Sequence, residues 1–317
     1  MTNLKKIGLT ALAGTLASTT FANAGELSVS GNAIMEYQTT SADTGSVNNT
    51  DGFVMNSTLT FSGSGELDNG MTVSMYQSLA SGSVTSEGVT LDMGDMGKLS
   101  LDRWGYHAGI TSVADKIPTA GENVHDDLNN ATGQNHDNPA VGVAKTGSEG
   151  NDVAGYVWSN DMLTFSASSS MDANGGEESA AISLNLMDGL EIGGGVGTNH
   201  SSAANEDDLT TMYATYAMGP VKVGIQKTDI DANAASSDIE ADHYGISFAI
   251  NENLSVSYGE HTVDFDSSTT DEESKGFSAS YSAGSMSFVL VNNQKDNAEG
   301  AAAVDQEMVE LKMIMAF

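Results

Sequence analysis

The sequence has no cysteine and few basic residues. Without cysteine, it has no disulfide, no thiolate metal site and no thiol nucleophile. Its 11 lysine and arginine residues stand against 43 aspartate and glutamate residues, which gives a formal net charge of −32. Because nucleic-acid affinity depends on clustered lysine and arginine, this charge excludes nucleic acid as a partner.

Long apolar runs are also missing. After the first two dozen residues there is no stretch of 18 apolar residues, so the sequence predicts no membrane-spanning helix. A strand of an outer-membrane barrel needs apolar residues only on its lipid face, and mean hydropathy hardly registers that pattern. The slightly negative mean hydropathy of −0.20 is therefore compatible with a membrane protein.

The start of the chain has the pattern of a secretory signal peptide. Lys5 and Lys6 precede a short apolar run at 7–17, and the small residues Ala22-Asn23-Ala24 follow it. We expect residues 1–24 to be removed by cleavage, which leaves 25–317 as the mature domain.

Alternating polarity runs through the rest of the sequence. In the predicted first strand, Leu27, Val29, Met35 and Tyr37 share one face, and Glu36 lies on the other. A period of two over about ten residues is typical of barrel strands. The pattern predicts an even total of sixteen strands, at 26–39, 53–66, 71–80, 87–92, 98–103, 151–158, 162–170, 178–187, 190–199, 208–218, 221–229, 239–250, 253–263, 274–283, 285–294 and 304–317.

The predicted connections alternate strictly between short and long. The long ones are polar and acidic, and such sorting is typical of a transmembrane barrel, whose short turns lie at the periplasmic rim. The short ones contain the residues that tight hairpins need; they are Asp68-Asn69-Gly70, Gly94-Asp95-Met96-Gly97, Asn160-Asp161, Asp188-Gly189, Gly219-Pro220, Asn251-Glu252 and Ala283-Gly284.

A different class of protein fits the composition too. A secreted, acidic surface-layer or adhesion protein stabilised by Ca²⁺ would also be rich in carboxylates and free of cysteine. It would need neither the alternating turns nor the apolar face of the last strand, and the sequence has no Gly-Gly-x-Gly-x-Asp repeats. That apolar face comprises Val309, Leu311, Met313, Met315 and Phe317.

The sequence resembles the general diffusion porins of Gram-negative outer membranes, of the alphaproteobacterial type. The best local matches are 26–31, 96–103 and the closing strand through Phe317. This resemblance implies an antiparallel 16-stranded transmembrane β-barrel in the outer membrane, associated as a homotrimer and surrounded by lipid and lipopolysaccharide. It also implies that the third long loop, 104–150, folds inward and narrows the channel for ions and small hydrophilic solutes.

Charged residues of this loop and its edge are the candidate constriction. Charges around a narrow aqueous gap select ions by sign, so five acids against three bases predict a preference for cations. The alternative is that these acids are merely solvated, and Arg103 shares the parity of Leu99 and Leu101, which points it to lipid. The candidates are Asp115, Glu122, Asp126, Asp127 and Asp137, with Arg103, Lys116 and Lys145 as countercharges.

Metal binding and catalysis have weaker support. Asp229, Asp231, Asn233 and Glu240 occupy positions 1, 3, 5 and 12 of an EF-hand-like loop, but Ala234 replaces the glycine that such a loop requires. We therefore expect no cofactor beyond weakly bound Ca²⁺ at acidic loops. The scattered histidines and the absence of a Gly-x-Ser-x-Gly motif predict no enzyme.

Overall fold

The structure, a computed structural model, describes residues 27–42, 52–103, 108–124, 128, 152–170, 178–202, 205–234, 237–302 and 304–317. The expected signal peptide at 1–24 lies outside these residues and stays a prediction. Within the described ranges, no helix is long and apolar enough to cross a bilayer.

The described residues contain sixteen antiparallel strands, which form a single closed barrel. Each strand pairs with its neighbours in the chain, and the first pairs with the last, so the sheet has no open edge. This confirms the predicted fold. The strands are β1 Leu27–Ala42, β2 Gly52–Glu66, β3 Thr72–Ala80, β4 Ser83–Asp92, β5 Lys98–Arg103, β6 Asp152–Ser159, β7 Leu163–Ser170, β8 Glu178–Met187, β9 Leu190–Ser202, β10 Asn205–Met218, β11 Val221–Asp231, β12 Ile239–Ala249, β13 Leu254–Phe265, β14 Glu272–Ala283, β15 Met286–Asp296 and β16 Gln306–Ala316.

The two faces of the barrel wall differ in polarity. On the outer face, Leu290 of β15 lies opposite Leu311 of β16, and both side chains are about half exposed, at 46% and 51%. On the inner face, Glu36 of β1 lies opposite Lys312 of β16. A continuous exposed apolar surface is costly in water, so the outer face is suited to lipid, whereas the inner face is suited to water.

The connections at the two rims are less regular than predicted. The tight turns of one rim are present, with left-handed glycines such as Gly189 and Gly284. At the other rim, β3 and β4 are joined by Ser81 and Gly82 alone, with φ angles of 52° and 84°. Positive φ at both positions is typical of a type I′ hairpin. The predicted strict alternation of short and long connections is therefore wrong at this hairpin.

At the rim with the longer loops, several strands extend further than predicted. β4 begins at Ser83 rather than at residue 87, and β10, β11, β14 and β15 each run two or three residues further. Acidic residues such as Asp231 and Asp296 occupy these extensions. Hydrogen bonding between strands continues above the bilayer, where an apolar outer face is no longer required.

We expect the stability of the barrel to respond differently to a cation added on its outer face and one added on its inner face. We expect Leu290→Arg, on the outer face, to lower the free energy of unfolding in phospholipid vesicles by about 2–4 kcal/mol, because a guanidinium near the bilayer midplane loses its hydration. Asn56→Arg is the control, because Asn56 is exposed on the inner face of β2. Equal losses in the two variants, measured by denaturant titration, would contradict the assignment of the faces.

Candidate pore constriction

Residues 108–124, termed the pore segment, run along the inside of the barrel wall. At one end, the backbone N–H groups of Gly109 and Ile110 donate to Ser166 Oγ and Ser179 Oγ, at 2.7 and 2.9 Å. These serines belong to the polar face of β7 and β8, opposite the exposed side chains of that wall. The polar face is the inner face, so the pore segment lies within the lumen.

The other end of the segment is attached in the same way. The N–H groups of Ala120 and Gly121 donate to Ser257 Oγ and Ser278 Oγ on β13 and β14, at 2.8 and 3.0 Å. An irregular segment inside a barrel needs partners for its backbone groups, since a buried unpaired N–H costs about 1–3 kcal/mol. Serine hydroxyls on successive strands supply them.

Gln226 of β11 holds the middle of the segment. Its Nε2 donates to the carbonyl oxygens of Val113 and Ala114, at 2.8 and 3.0 Å, and its Oε1 accepts from the N–H of Lys116 at 3.0 Å. One buried side chain therefore satisfies three backbone groups and fixes the position of the turn between them.

Inward glycines make room for the segment on the wall. A Cβ atom at Gly245 would lie 2.4 Å from Ile117 Cγ2, and one at Gly224 would lie 2.5 Å from Pro118 Cδ. Both distances are far below van der Waals contact. The segment can lie against β11 and β12 only because these positions have no side chain.

Apolar anchors complete the attachment. Ile110 and Val113 are buried against Leu209 and Tyr213 of β10, and Leu128 is buried against Val289 of β15, among other residues. The anchors Ile110, Val113 and Leu128 belong to the predicted constriction loop, and the residues that they contact belong to the barrel wall. The pore segment thus combines polar attachment of its backbone with burial of its apolar side chains.

The opposite side of the lumen is more open. Inward positions under the segment are buried, as at Thr228 and Asn293, each 1% exposed. On β2, the inward residues Thr58 and Thr60 are partly exposed, and Asn56 is exposed. Water therefore reaches the inner face of β2 more readily than the wall behind the pore segment.

Two of the predicted constriction acids are engaged within the protein. Asp115 Oδ2 accepts from Asn123 Nδ2 at 2.6 Å, and burial raises the pKa of the Asp115 carboxyl. Glu122 binds the ammonium of Lys312 on β16. Neither carboxylate is the simply solvated group that the alternative interpretation required.

Lys116 is also paired inside the barrel. Its Nζ lies 3.7 Å from Glu191 Oε1 and 5.3 Å from the ring centroid of Tyr213. Tyr213 in turn donates its hydroxyl to Glu191 at 2.6 Å. The remaining predicted residues, Asp126, Asp127, Asp137 and Lys145, lie outside the described residues.

Arg103 lies on the outer face of the barrel, so the prediction that it belongs to the constriction is wrong. It alternates with the inward residue Asp102 at the end of β5, and its guanidinium pairs with Asp152 at 2.8 Å and Glu87 at 3.1 Å. Its parity with Leu99 and Leu101 gave the correct direction. The two carboxylates on neighbouring strands provide the polar surroundings that a cation needs near lipid.

The EF-hand-like residues do not form a common site. Asp229 and Glu240 face each other on the outer wall, and Lys227 pairs with both, at 3.7 and 2.8 Å. The N–H of Asn233 donates to Asp207 instead. Among the residues that the structure describes, no three acidic or histidine side chains are arranged to hold a metal ion.

Four residues form an inward cluster that includes only one predicted site residue. Lys312 Nζ lies 2.8 Å from Glu310 Oε1 and 3.9 Å from Glu36 Oε2, and it also binds Glu122. We call Glu36, Glu122, Glu310 and Lys312 the carboxylate cluster. The parity of the first and last predicted strands, which places Glu36, Glu310 and Lys312 opposite the apolar residues, is the signal that could have identified it.

Comparison with known proteins agrees with this geometry. A family model described as Gram-negative porin matches residues 8–300, and the chain therefore belongs to the Gram-negative porin family. Membership places it in the outer membrane as a porin channel. No curated protein sequence matches it.

Solved structures share the fold at low sequence identity. A refined porin structure superimposes with a TM-score of 0.65 and 18% identity, covering 92% of this chain and 100% of that one. A mutant of the Rhodopseudomonas blastica porin gives a TM-score of 0.60 and 13% identity, with coverage of 92% and 100%. The outer-membrane protein OmpT of Vibrio cholerae, in a trimer form, gives 0.63 and 11%, with coverage of 93% and 100%. At these identities, the likeness concerns the fold alone.

The inward glycines can be tested directly. We expect Gly245→Val to displace the pore segment and to raise the single-channel conductance in planar bilayers, because its side chain would overlap Ile117. Ala249→Val is the control, since Ala249 is exposed on the same face of β12, towards the rim with the short turns. An unchanged conductance in a correctly folded Gly245→Val barrel would show that the segment does not limit the opening.

Proposed function

We propose that this porin is a general diffusion channel for ions and small hydrophilic solutes, and that it prefers cations. A barrel of sixteen strands is wide enough for an aqueous lumen, and the pore segment leaves the inner face of β2 accessible to water. The observation that carries the preference is the excess of carboxylates over basic groups beside this opening. A negative lumen concentrates cations and repels anions.

The preference can be measured as a reversal potential in planar bilayers under a KCl gradient. We expect the sign that corresponds to K⁺ permeating faster than Cl⁻. The preference should weaken as the salt rises from about 0.1 to 1 M, because the Debye length falls from about 10 to 3 Å. A preference for Cl⁻ at low salt would overturn the electrostatic part of the proposal.

We also propose that the protein associates as a homotrimer that contacts lipopolysaccharide. The OmpT structure in trimer form supports the first part, because it shares the fold. The second part is supported by the acidic residues that continue the outer wall beyond its apolar belt, including Glu240 and Asp264. Divalent cations such as Ca²⁺ would bridge these carboxylates to anionic lipid phosphates.

Gel mobility of detergent-extracted protein tests the assembly. Unboiled protein should migrate as a trimer and boiled protein as an unfolded monomer, because a closed barrel resists detergent until it is heated. A chelator should lower the temperature of this transition if divalent cations support the assembly. Migration as a monomer at every temperature, in protein that is still folded, would contradict the trimer.

A further inference from the structure

We propose that the carboxylate cluster determines the cation selectivity of the channel, and that Glu36 is the member that permeating cations contact. This inference rests on the proposed function, since selectivity has a meaning only if the channel conducts cations preferentially. It assigns the selectivity to the wall strands β1 and β16, whereas the sequence pointed to the acids of the loop.

The cluster carries more negative than positive charge. It has three carboxylates, Glu36, Glu122 and Glu310, around the single ammonium of Lys312. Glu310 has none of its side chain exposed, and its Oε2 has no hydrogen-bond partner among the described residues. Within the cluster as defined, a single ammonium therefore stands against three carboxylates, and its formal charge is negative.

That excess charge lies closest to water at Glu36. Lys312 binds Glu122 and Glu310 directly, but it is 3.9 Å from Glu36, so Glu36 shares its counterion least. The Glu36 side chain is 21% exposed, compared with 18% for Glu122, 14% for Lys312 and 0% for Glu310. Glu36 also belongs to β1, which borders the open side of the lumen.

Three other inward carboxylates have closer partners. Glu272 pairs with Lys295 at 3.0 Å in a fully buried pair, and Asp92 pairs with Lys98 at 3.0 Å near the rim with the short turns. Glu191 accepts from the Tyr213 hydroxyl and lies near Lys116. These pairs leave less net field in the lumen, because opposite charges at such distances cancel within a few ångströms.

The test compares Glu36→Gln with Glu307→Gln. Both remove one carboxylate, but Glu307 shares the parity of Val309 and Leu311 and lies on the outer face of β16, where Asn292 contacts it. We expect Glu36→Gln to lower the K⁺/Cl⁻ permeability ratio about two- to fourfold, which is the effect of one charge at about 5 Å in water. Glu307→Gln should leave the ratio within error of the wild type.

Two further variants distinguish the loss of the charge from a folding defect. Glu36→Asp keeps the charge and should keep the wild-type ratio, whereas Glu36→Lys should lower the ratio more than Glu36→Gln. Each variant must show the same boiling-dependent mobility as the wild type.

If Glu36→Gln and Glu307→Gln change the ratio equally, or if neither changes it, the cluster does not set the selectivity, although the cation preference itself stands. A wild-type channel that prefers anions would instead overturn the proposed function.

Discussion

The constraint on which the structure depends is that every backbone hydrogen bond within the bilayer must be made by the protein itself. Lipid offers no partners, and each unsatisfied group costs several kcal/mol, so a sheet can span the membrane only if it closes. Closure joins β1 to β16, and its last bonds are the reciprocal pair between Gly31 and Phe317, at 2.9 and 3.0 Å. Once the ring is closed, the parity of each strand decides which side chains meet lipid and which meet water.

The same requirement explains how the pore segment is held. An irregular chain inside the lumen has backbone groups that no strand can pair in register, so the inner wall provides separate acceptors and donors. Serine hydroxyls and Gln226 supply them, and inward glycines let the segment lie close enough to reach them. A wall of larger side chains could have been equally polar, but it would have held the segment away and left its N–H groups unpaired. Polarity and small size are needed together.

Much of the fold could be predicted from the sequence because the bilayer imposes a strict period of two. All sixteen strands were predictable for that reason, and the tight turns were predictable from the Gly, Asn and Asp residues that short hairpins need. The ends of the strands at the rim with the longer loops were not, because the apolar signal stops at the bilayer while hydrogen bonding continues through residues such as Asp231 and Asp296. Ser81 and Gly82 look like part of a long polar loop until their dihedral angles are known. In the site, Arg103 was assigned by its position next to the loop, but the parity of β5 decides its direction.

The loop acids show why counting charges along a sequence does not locate the charges that face the lumen. Asp115 and Glu122 are both in the expected loop, yet one accepts from Asn123 and the other binds Lys312, so neither acts as an isolated charge. Many other carboxylates, such as Glu240, lie on the outer wall. At physiological salt the Debye length is about 8 Å, so such charges contribute little inside the lumen. Pairing across strands therefore determines which inward carboxylates have a counterion of their own and which must share one.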